Sequence, residues 1–513
     1  MAKINRRRIK DVHPLMMYII LIVVTLLLSG FLHILDAQGT FFNINPINYN
    51  VIPHTETITN LFSLSGIKYI FTSTVSNFAN FTVLSNLIII LMGISIMDKS
   101  GFLQTAITIT TKKMKKTTVT FIFVLLCVIS SICGNLFYLI MIPLGALLFY
   151  YGKRNPAIGI IAAFAALSCG SGISFLFTSA DSELLSYTEL ATKTINQNYS
   201  LANFSSILIM VVAVILVTYI ITLFTENIVV RKLPKYEFTE KELEEDTVTK
   251  DESKGMKFAL IAAAIYMFII IYNIIPGLPL SGSLLDYSQG LYIDKLFNIN
   301  SFFTKGFVFI VTMLFIVLGL FFGIGSKSIK NHKDFFDYLG NSLDGIGNTL
   351  VMIFLASMFI SVFKKTNIGS VLVALFGNLI RNSSFTGLPL IILVFILIAI
   401  STIVLPQSNL KWNILSGSVV PVLMNSGVSP EFAQIIFRFA ETCTMNITPL
   451  LAYFIVYVAF LEKYNQGEKK IKLKDALRYQ ISYTGIITIA LLGLIIVWYI
   501  INLPLGINTF PTL

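Results

Sequence analysis

The segment LPQSNLKWNILSGSVVPVLMNSGVSPEFAQIIFRFAETCTMNITP, Leu405 to Pro449, is apolar enough to enter a bilayer but too rich in Gly, Ser, Pro and polar residues to cross it as one helix. Irregular backbone survives at membrane depth only where protein or water satisfies its amides and carbonyls. Those same groups can then hold ligands or ions. A second such segment, Ala162 to Leu185, lies in the first half of the chain and contains SCGSGISFLFTSAD. Interrupted apolar segments in corresponding halves point to inverted repeats around a midplane site. Ordinary spans with small packing residues are the alternative, and the matched pair weighs against it.

The rest of the chain agrees with a bilayer as the solvent. Its 513 residues are 55% hydrophobic and 12% charged, with a mean hydropathy of +0.81, whereas soluble domains carry about 25% charge. Apolar runs recur from residue 15 to residue 502, several near the roughly 20 residues a spanning helix needs. The first, Leu15 to Leu35, is too long for a cleaved signal peptide and lacks a small-residue cleavage site. We therefore expect an all-α polytopic membrane protein with inverted repeats, two re-entrant helical hairpins and about nine to eleven spans. It forms one membrane domain over 1–513, with a first repeat near 118–225, a linker near 226–256 and a second repeat near 346–502.

The net charge of +11 resides in short clusters between apolar runs, which the positive-inside rule explains better than nucleic-acid binding. The cluster Lys3, Arg6, Arg7, Arg8 and Lys10 puts the N-terminus in the cytoplasm. Lys112 to Lys116, Lys153 and Arg154, the mixed-charge loop Arg231 to Lys257, Lys327 to Lys333 and Lys463 to Arg478 follow it. Thr118 to Tyr151 must then leave and return to the same side, with its break at Gly134 and Asn135. The tail after Asn502 has no charged side chain, which suits an external end, while Lys364 and Lys365 depart from the pattern.

Ionisable residues inside a span are expensive and mark function by default. Asp181 closes the first interrupted segment; Arg438 and Glu441 lie three apart in the second, on one helical face. They are either a self-neutralising pair or an arginine for a substrate carboxylate beside an acid that takes part in ion coupling. Lys411 is a further cation, or a helix-end lysine reaching the interface. Trp412, beside Gln407, Ser408 and Asn409, can stack on an aromatic substrate or anchor at the interface, as Trp498 does. Ser171, Ser174, Ser408, Thr444 and Asn446 could offer polar contacts where helices unwind. Cys127, Cys133, Cys169 and Cys443 have no metal-ligand spacing and read as small buried hydrophobes. No nucleophile elbow, P-loop or HExxH pattern supports an enzyme, and no cofactor motif is present.

Three blocks carry a family resemblance: SGIKYIFTSTVSNFANFTVLSNLIIILMGISIMDKSG at Ser65 to Gly101, MIPLGALLFYYGKRNP at Met141 to Pro156 with SCGSGISFLFTSAD at Ser168 to Asp181, and Leu410 to Phe454. The chain resembles the AbgT, or p-aminobenzoyl-glutamate transporter, family almost end to end. The resemblance implies two hairpins facing a substrate site in a homodimer with a cytoplasmic bowl. It also implies transport of p-aminobenzoyl-glutamate, or export of sulfonamide-type antimetabolites, driven by a proton or sodium gradient without any cofactor. By resemblance the ion-coupling acids fall on Asp181 and Glu441, and substrate contacts on Asn409, Trp412, Pro430 and Arg438. Asn135, Ser174, Asn409 and Glu441 depart from the residues usual in the family. A passive channel or membrane receptor is the alternative, although no filter repeat is visible.

Overall fold

A computed structural model describes residues 13–130, 134–174, 179–201, 205–238, 247–298, 300–465 and 473–513. The N-terminal basic cluster, Cys133, the run Glu240 to Glu245 and Lys469 to Lys472 lie outside the described residues.

The chain starts with α1 (Pro14–Ile34), a β-hairpin of β1 (Gln38–Ile44) and β2 (Val51–Thr57), and α2 to α4 (Leu64–Ala79, Thr82–Lys99, Phe102–Thr111). Then follow α5 (Lys116–Ser130), α6 (Phe137–Tyr151), α7 (Pro156–Gly170), α8 (Ser179–Lys193) and α9 (Ile207–Phe224), the last continued by a π-helical turn over Thr225–Val229. A peripheral group comprises α10 (Lys250–Ile274), α11 (Tyr292–Phe297), α12 (Phe302–Ser326) and α13 (His332–Gly340). The second half holds α14 (Gly347–Lys365), α15 (Ile368–Arg381), α16 (Gly387–Val404), α17 (Ser408–Asn425), α18 (Pro430–Thr444), α19 (Phe454–Lys463) and α20 (Leu473–Ile501). Among the described residues, eight helical stretches are long and apolar enough to cross a membrane. The fold is mostly helical as expected; among the described residues it also carries the antiparallel β-hairpin, which pairs Gln38 with Thr57 through Ile44 with Val51.

One order of elements occurs twice. A helix, a break, two helices joined by a tight turn, a second break, a short helix and a long span describe both α5 to α9 and α16 to α20. Each tight turn has its own local cause. Asn155 Oδ1 accepts from the Ala157 amide at 2.9 Å and Pro156 starts α7; Ser429 Oγ accepts from the Phe432 amide at 3.3 Å and Pro430 starts α18. A capping side chain followed by proline is a strong helix start. In the first hairpin, a Cβ on Gly159 would lie 2.1 Å from the Gly145 carbonyl, so only glycine permits this crossing of α6 and α7.

The two turns lie at opposite ends of the molecule. Gln480 of α20 donates to the Ile161 carbonyl, near the first turn, while Tyr499 of the same helix stacks on Phe432, near the second. Gln480 and Tyr499 are about 28 Å apart along a helix rising 1.5 Å per residue. The first hairpin is thus α6 and α7, with its turn at Gly152 to Asn155. Ala162 to Leu185, read from sequence as the first hairpin, is instead one leg of it, a break, and α8, which packs on α17 and α18.

The basic loops meet at one end. Arg154 donates to the Lys116 carbonyl, Asn155 to that of Pro234, and Tyr151 to Asp98; Lys327 pairs with Asp251 at 3.2 Å. Thr118 to Tyr151 therefore returns to the level it left, as its flanking charges require. Lys364 lies elsewhere, next to Thr366, whose carbonyl accepts from the Thr59 amide beyond the β-hairpin.

Candidate functional site

The helix breaks converge on a cavity of about 560 Å³. Gly134 and Asn135 reach it from the α5–α6 break, and Ser171, Ser174 and Ala180 from the α7–α8 break. Pro406 and Gln407 come from between α16 and α17, Ser408 and Asn409 from the start of α17, and Met445 with Leu450 to Tyr453 from between α18 and α19. Asn80 to Thr82, between α2 and α3, close another wall. Unwound backbone is placed where a cavity can satisfy it, one of the settings in which a bilayer tolerates it.

Beside this cavity runs a chain of opposite charges. Asp181 Oδ1 lies 3.0 Å from Arg438 Nη2, Arg438 Nη1 lies 4.0 Å from Glu441 Oε1, and Glu441 Oε2 lies 3.2 Å from Lys411 Nζ. Arg438 Nε also donates to the Gly172 carbonyl at 3.2 Å, and Lys411 Nζ to Thr402 Oγ1 at 2.7 Å. Lys411 and Glu441 are 0% and 1% exposed, so removing either one would strand a buried group that has lost its nearest partner. Formal charge cancels along the four residues. The α7–α8 break is held against α18 at Gly172, whose amide donates to Thr442 Oγ1 at 2.7 Å.

Of the residues singled out from sequence, Ser171, Ser174, Ser408, Asn409 and Arg438 line the cavity. Asp181 stands behind Arg438 as its partner. Trp412 does not reach the cavity: it is 0% exposed, its Nε1 donates to Thr188 Oγ1 at 2.9 Å, and its ring lies 4.4 Å from that of Phe437. The indole pins α17 to α8 and offers no free face for stacking, because α8 and α18 enclose it. Asn409 reinforces that seam by donating to Glu183.

Pro430 starts α18 at the hairpin turn, away from the cavity. Thr444 donates to the Ala399 carbonyl, and Asn446 Nδ2 to the Gln480 carbonyl, so both join helices instead of facing the cavity. Lys411 is enclosed and does not snorkel. Cys127, Cys169 and Cys443 are buried. Among the described residues no three His, Cys, Asp or Glu side chains gather as a metal site.

Sequence reasoning missed a tyrosine pair. Tyr138 and Tyr453 line the cavity and stack with ring centroids 5.1 Å apart and planes 13° apart; Tyr138 donates to Ser168 Oγ at 3.0 Å. Each adjoins a break, at the start of α6 and just before α19, the one signal that could have marked them among the 21 tyrosines.

The curated p-aminobenzoyl-glutamate transport protein of Escherichia coli strain K12 is 23% identical over 503 residues, covering 98% of this chain and 94% of that protein. Two solved structures align along nearly the whole chain. The YdaH transporter of Alcanivorax borkumensis is 24% identical with a TM-score of 0.47, covering 96% of this chain and 100% of its own. MtrF of Neisseria gonorrhoeae, described as illuminating a class of antimetabolite efflux pumps, is 24% identical with a TM-score of 0.47, covering 98% and 97%. The family model for the AbgT putative transporter family matches residues 4–513, and this multi-pass membrane protein belongs to that family.

Proposed function

We propose that this transporter is an ion-coupled secondary carrier of small aromatic carboxylates, with p-aminobenzoyl-glutamate and related folate-pathway compounds as its substrate class. The observation that carries this reading is the cavity. It is fed by breaks from both halves and bears the cationic side chains Arg438 and Lys364, with no Asp or Glu among its described lining residues. The Escherichia coli relative's name supports the substrate class. Export of antimetabolites, of the sulfonamide type that the family resemblance implies, is the related activity.

The charge chain from Asp181 to Lys411 is the coupling element. A proton or sodium ion reaching Asp181 would weaken its hold on Arg438 and loosen α8 from α18. The break residues Ser171, Ser174, Ser408 and Asn409 supply the cavity's polar contacts, and the Tyr138 and Tyr453 rings border it. The protein acts as a homodimer in the cytoplasmic membrane, with its N-terminus inside and its tail outside.

Proteoliposomes holding the purified protein and labelled p-aminobenzoyl-glutamate test this directly, with proton and sodium gradients imposed separately. Gradient-driven accumulation is expected under one of them. No flux of any folate-pathway compound would refute the substrate class, and flux indifferent to both gradients would refute coupling. A cysteine introduced at residue 244 should label from the cytoplasmic side, and one at 512 from outside.

A further inference from the structure

Lys364 occupies the last turn of α14, is exposed, and lines the cavity. Its neighbour Lys365 lies over the Tyr69 ring at 5.7 Å, the packing expected of a helix-end lysine. Lys364 differs: among the described residues no acidic side chain pairs with it. Nor does orientation account for it, since the basic loops meet at the end bearing Lys116 and Arg154, whereas Lys364 adjoins the Thr59–Thr366 contact.

The cavity's other cation is already spoken for. Arg438 is held by Asp181 at 3.0 Å and by the Gly172 carbonyl at 3.2 Å, with Glu441 at 4.0 Å. A substrate carboxylate at Arg438 would have to displace or share that acid. An uncompensated charge in a cleft with low-dielectric walls sets the field there. Among the charged groups on the cavity wall, Lys364 is that charge.

We propose that Lys364 is the residue that selects an anionic substrate, its ammonium taking a carboxylate of the ligand while Arg438 stays bound to Asp181. This rests on the cavity being the substrate site, and it deepens that reading by assigning the charge contact. Two consequences separate it from a merely structural lysine. Replacement by a neutral residue should weaken anionic ligands and spare neutral ones, and arginine should substitute for lysine because a point charge suffices.

The experiment measures ligand binding to detergent-purified wild type, Lys364→Gln and Lys364→Arg. The probes are p-aminobenzoyl-glutamate, its neutral diamide, and simple aromatic carboxylates such as benzoate and phthalate; size-exclusion elution checks folding. Lys364→Gln should bind p-aminobenzoyl-glutamate about tenfold more weakly, the effect of losing one charged hydrogen bond, with the diamide unchanged and Lys364→Arg near wild type. Wild-type affinity in Lys364→Gln for every anionic probe overturns the inference while leaving the substrate reading intact. Lys364-dependent binding of benzoate or phthalate without binding of p-aminobenzoyl-glutamate upholds the inference and rejects the substrate reading. Wild type that binds none of the anionic probes overturns both.

Discussion

Asp181 Oδ1 lies 3.0 Å from Arg438 Nη2, which ties the helix after the first break to the second hairpin by one ion pair at the cavity wall. Arg438 also lines the cavity, so separating these helices requires breaking that pair, and under the coupling proposed above Arg438 would act as a latch. Arg438→Lys should lower transport more than yield, because an ammonium cannot serve Asp181 and the Gly172 carbonyl with the same planar geometry. Asp181→Asn should abolish gradient-driven accumulation while binding persists. Accumulation at wild-type level in Asp181→Asn would remove this acid from the coupling path.

The Lys411–Glu441 pair is enclosed, and its removal should act through folding first. Breaking one partner of a buried pair costs about 3–5 kcal/mol, whereas replacing both by apolar residues is often neutral. Lys411→Met and Glu441→Gln should each lower the folded yield, and Lys411→Met with Glu441→Leu should restore it. Yield and flux measured on all three separate the roles. A double variant that recovers full transport would show that Glu441 carries no ion.

Trp412 is predicted to matter for stability and not for stacking. Its indole donates to Thr188, whose hydroxyl donates in turn to Gln434. Trp412→Phe should cost about 1 kcal/mol, the net worth of a hydrogen bond; Thr188→Val, which removes both bonds, should cost more, and the double variant should cost little more than Thr188→Val alone. Thermal unfolding in detergent checks this. Weaker binding of p-aminobenzoyl-glutamate in Trp412→Phe at unchanged stability would restore the stacking role.

How far the sequence reached is visible in these same residues. Apolar runs marked the spans because a bilayer demands long helices, and clusters of Gly, Ser and Pro marked the breaks because a bilayer tolerates them only where protein or a water-filled cavity satisfies the backbone. Partners across the fold were illegible. The spacing of Arg438 and Glu441 suggested a pair, yet the nearer partner of each is Asp181 and Lys411, contributed by other helices. Trp412 carries a polar neighbourhood in sequence, and only the packing of α8 and α18 reveals that it is enclosed. The first hairpin was displaced because polarity marks a break, whereas the α6–α7 turn depends on Gly145 meeting Gly159.

Gly172 sets how closely the first break approaches α18. A Cβ there would lie 2.2 Å from the Arg438 carbonyl and 2.5 Å from Thr442 Oγ1, and neither a helix backbone nor a hydrogen-bonded hydroxyl yields cheaply. Gly172→Ala should destabilise by about 1–3 kcal/mol, the range for overpacking, and impair transport by shifting Arg438. Gly485→Ala is the control, because a Cβ at this helical position meets nothing within 4 Å. Equal thermal stability of the two variants would contradict the close approach.

The last prediction concerns the tail, which binds the turn of the second hairpin. The Ser429 amide and hydroxyl donate to the Pro511 and Phe510 carbonyls at 2.8 and 2.7 Å, and the Leu513 amide donates to the Gly427 carbonyl at 3.0 Å. The same tail is tied to the start of α9, where the Leu208 amide donates to the Leu505 carbonyl at 2.9 Å. It thus joins the second hairpin to the first long span outside it. Removing residues 506–513 takes away these backbone partners while leaving Leu505 on α9. If the hairpin moves during transport, the strap limits its travel, and truncation should speed opening and raise protease cleavage near Gly427. If the hairpin is fixed, truncation should only lower thermal stability. Flux and limited proteolysis on the truncated protein distinguish these outcomes, and Ser429→Ala, which removes the hydroxyl's bond to Phe510 together with its cap on Phe432 and leaves the amide, should change both in the same direction. Unchanged cleavage and unchanged flux in both variants would mean that the tail does not restrain the hairpin.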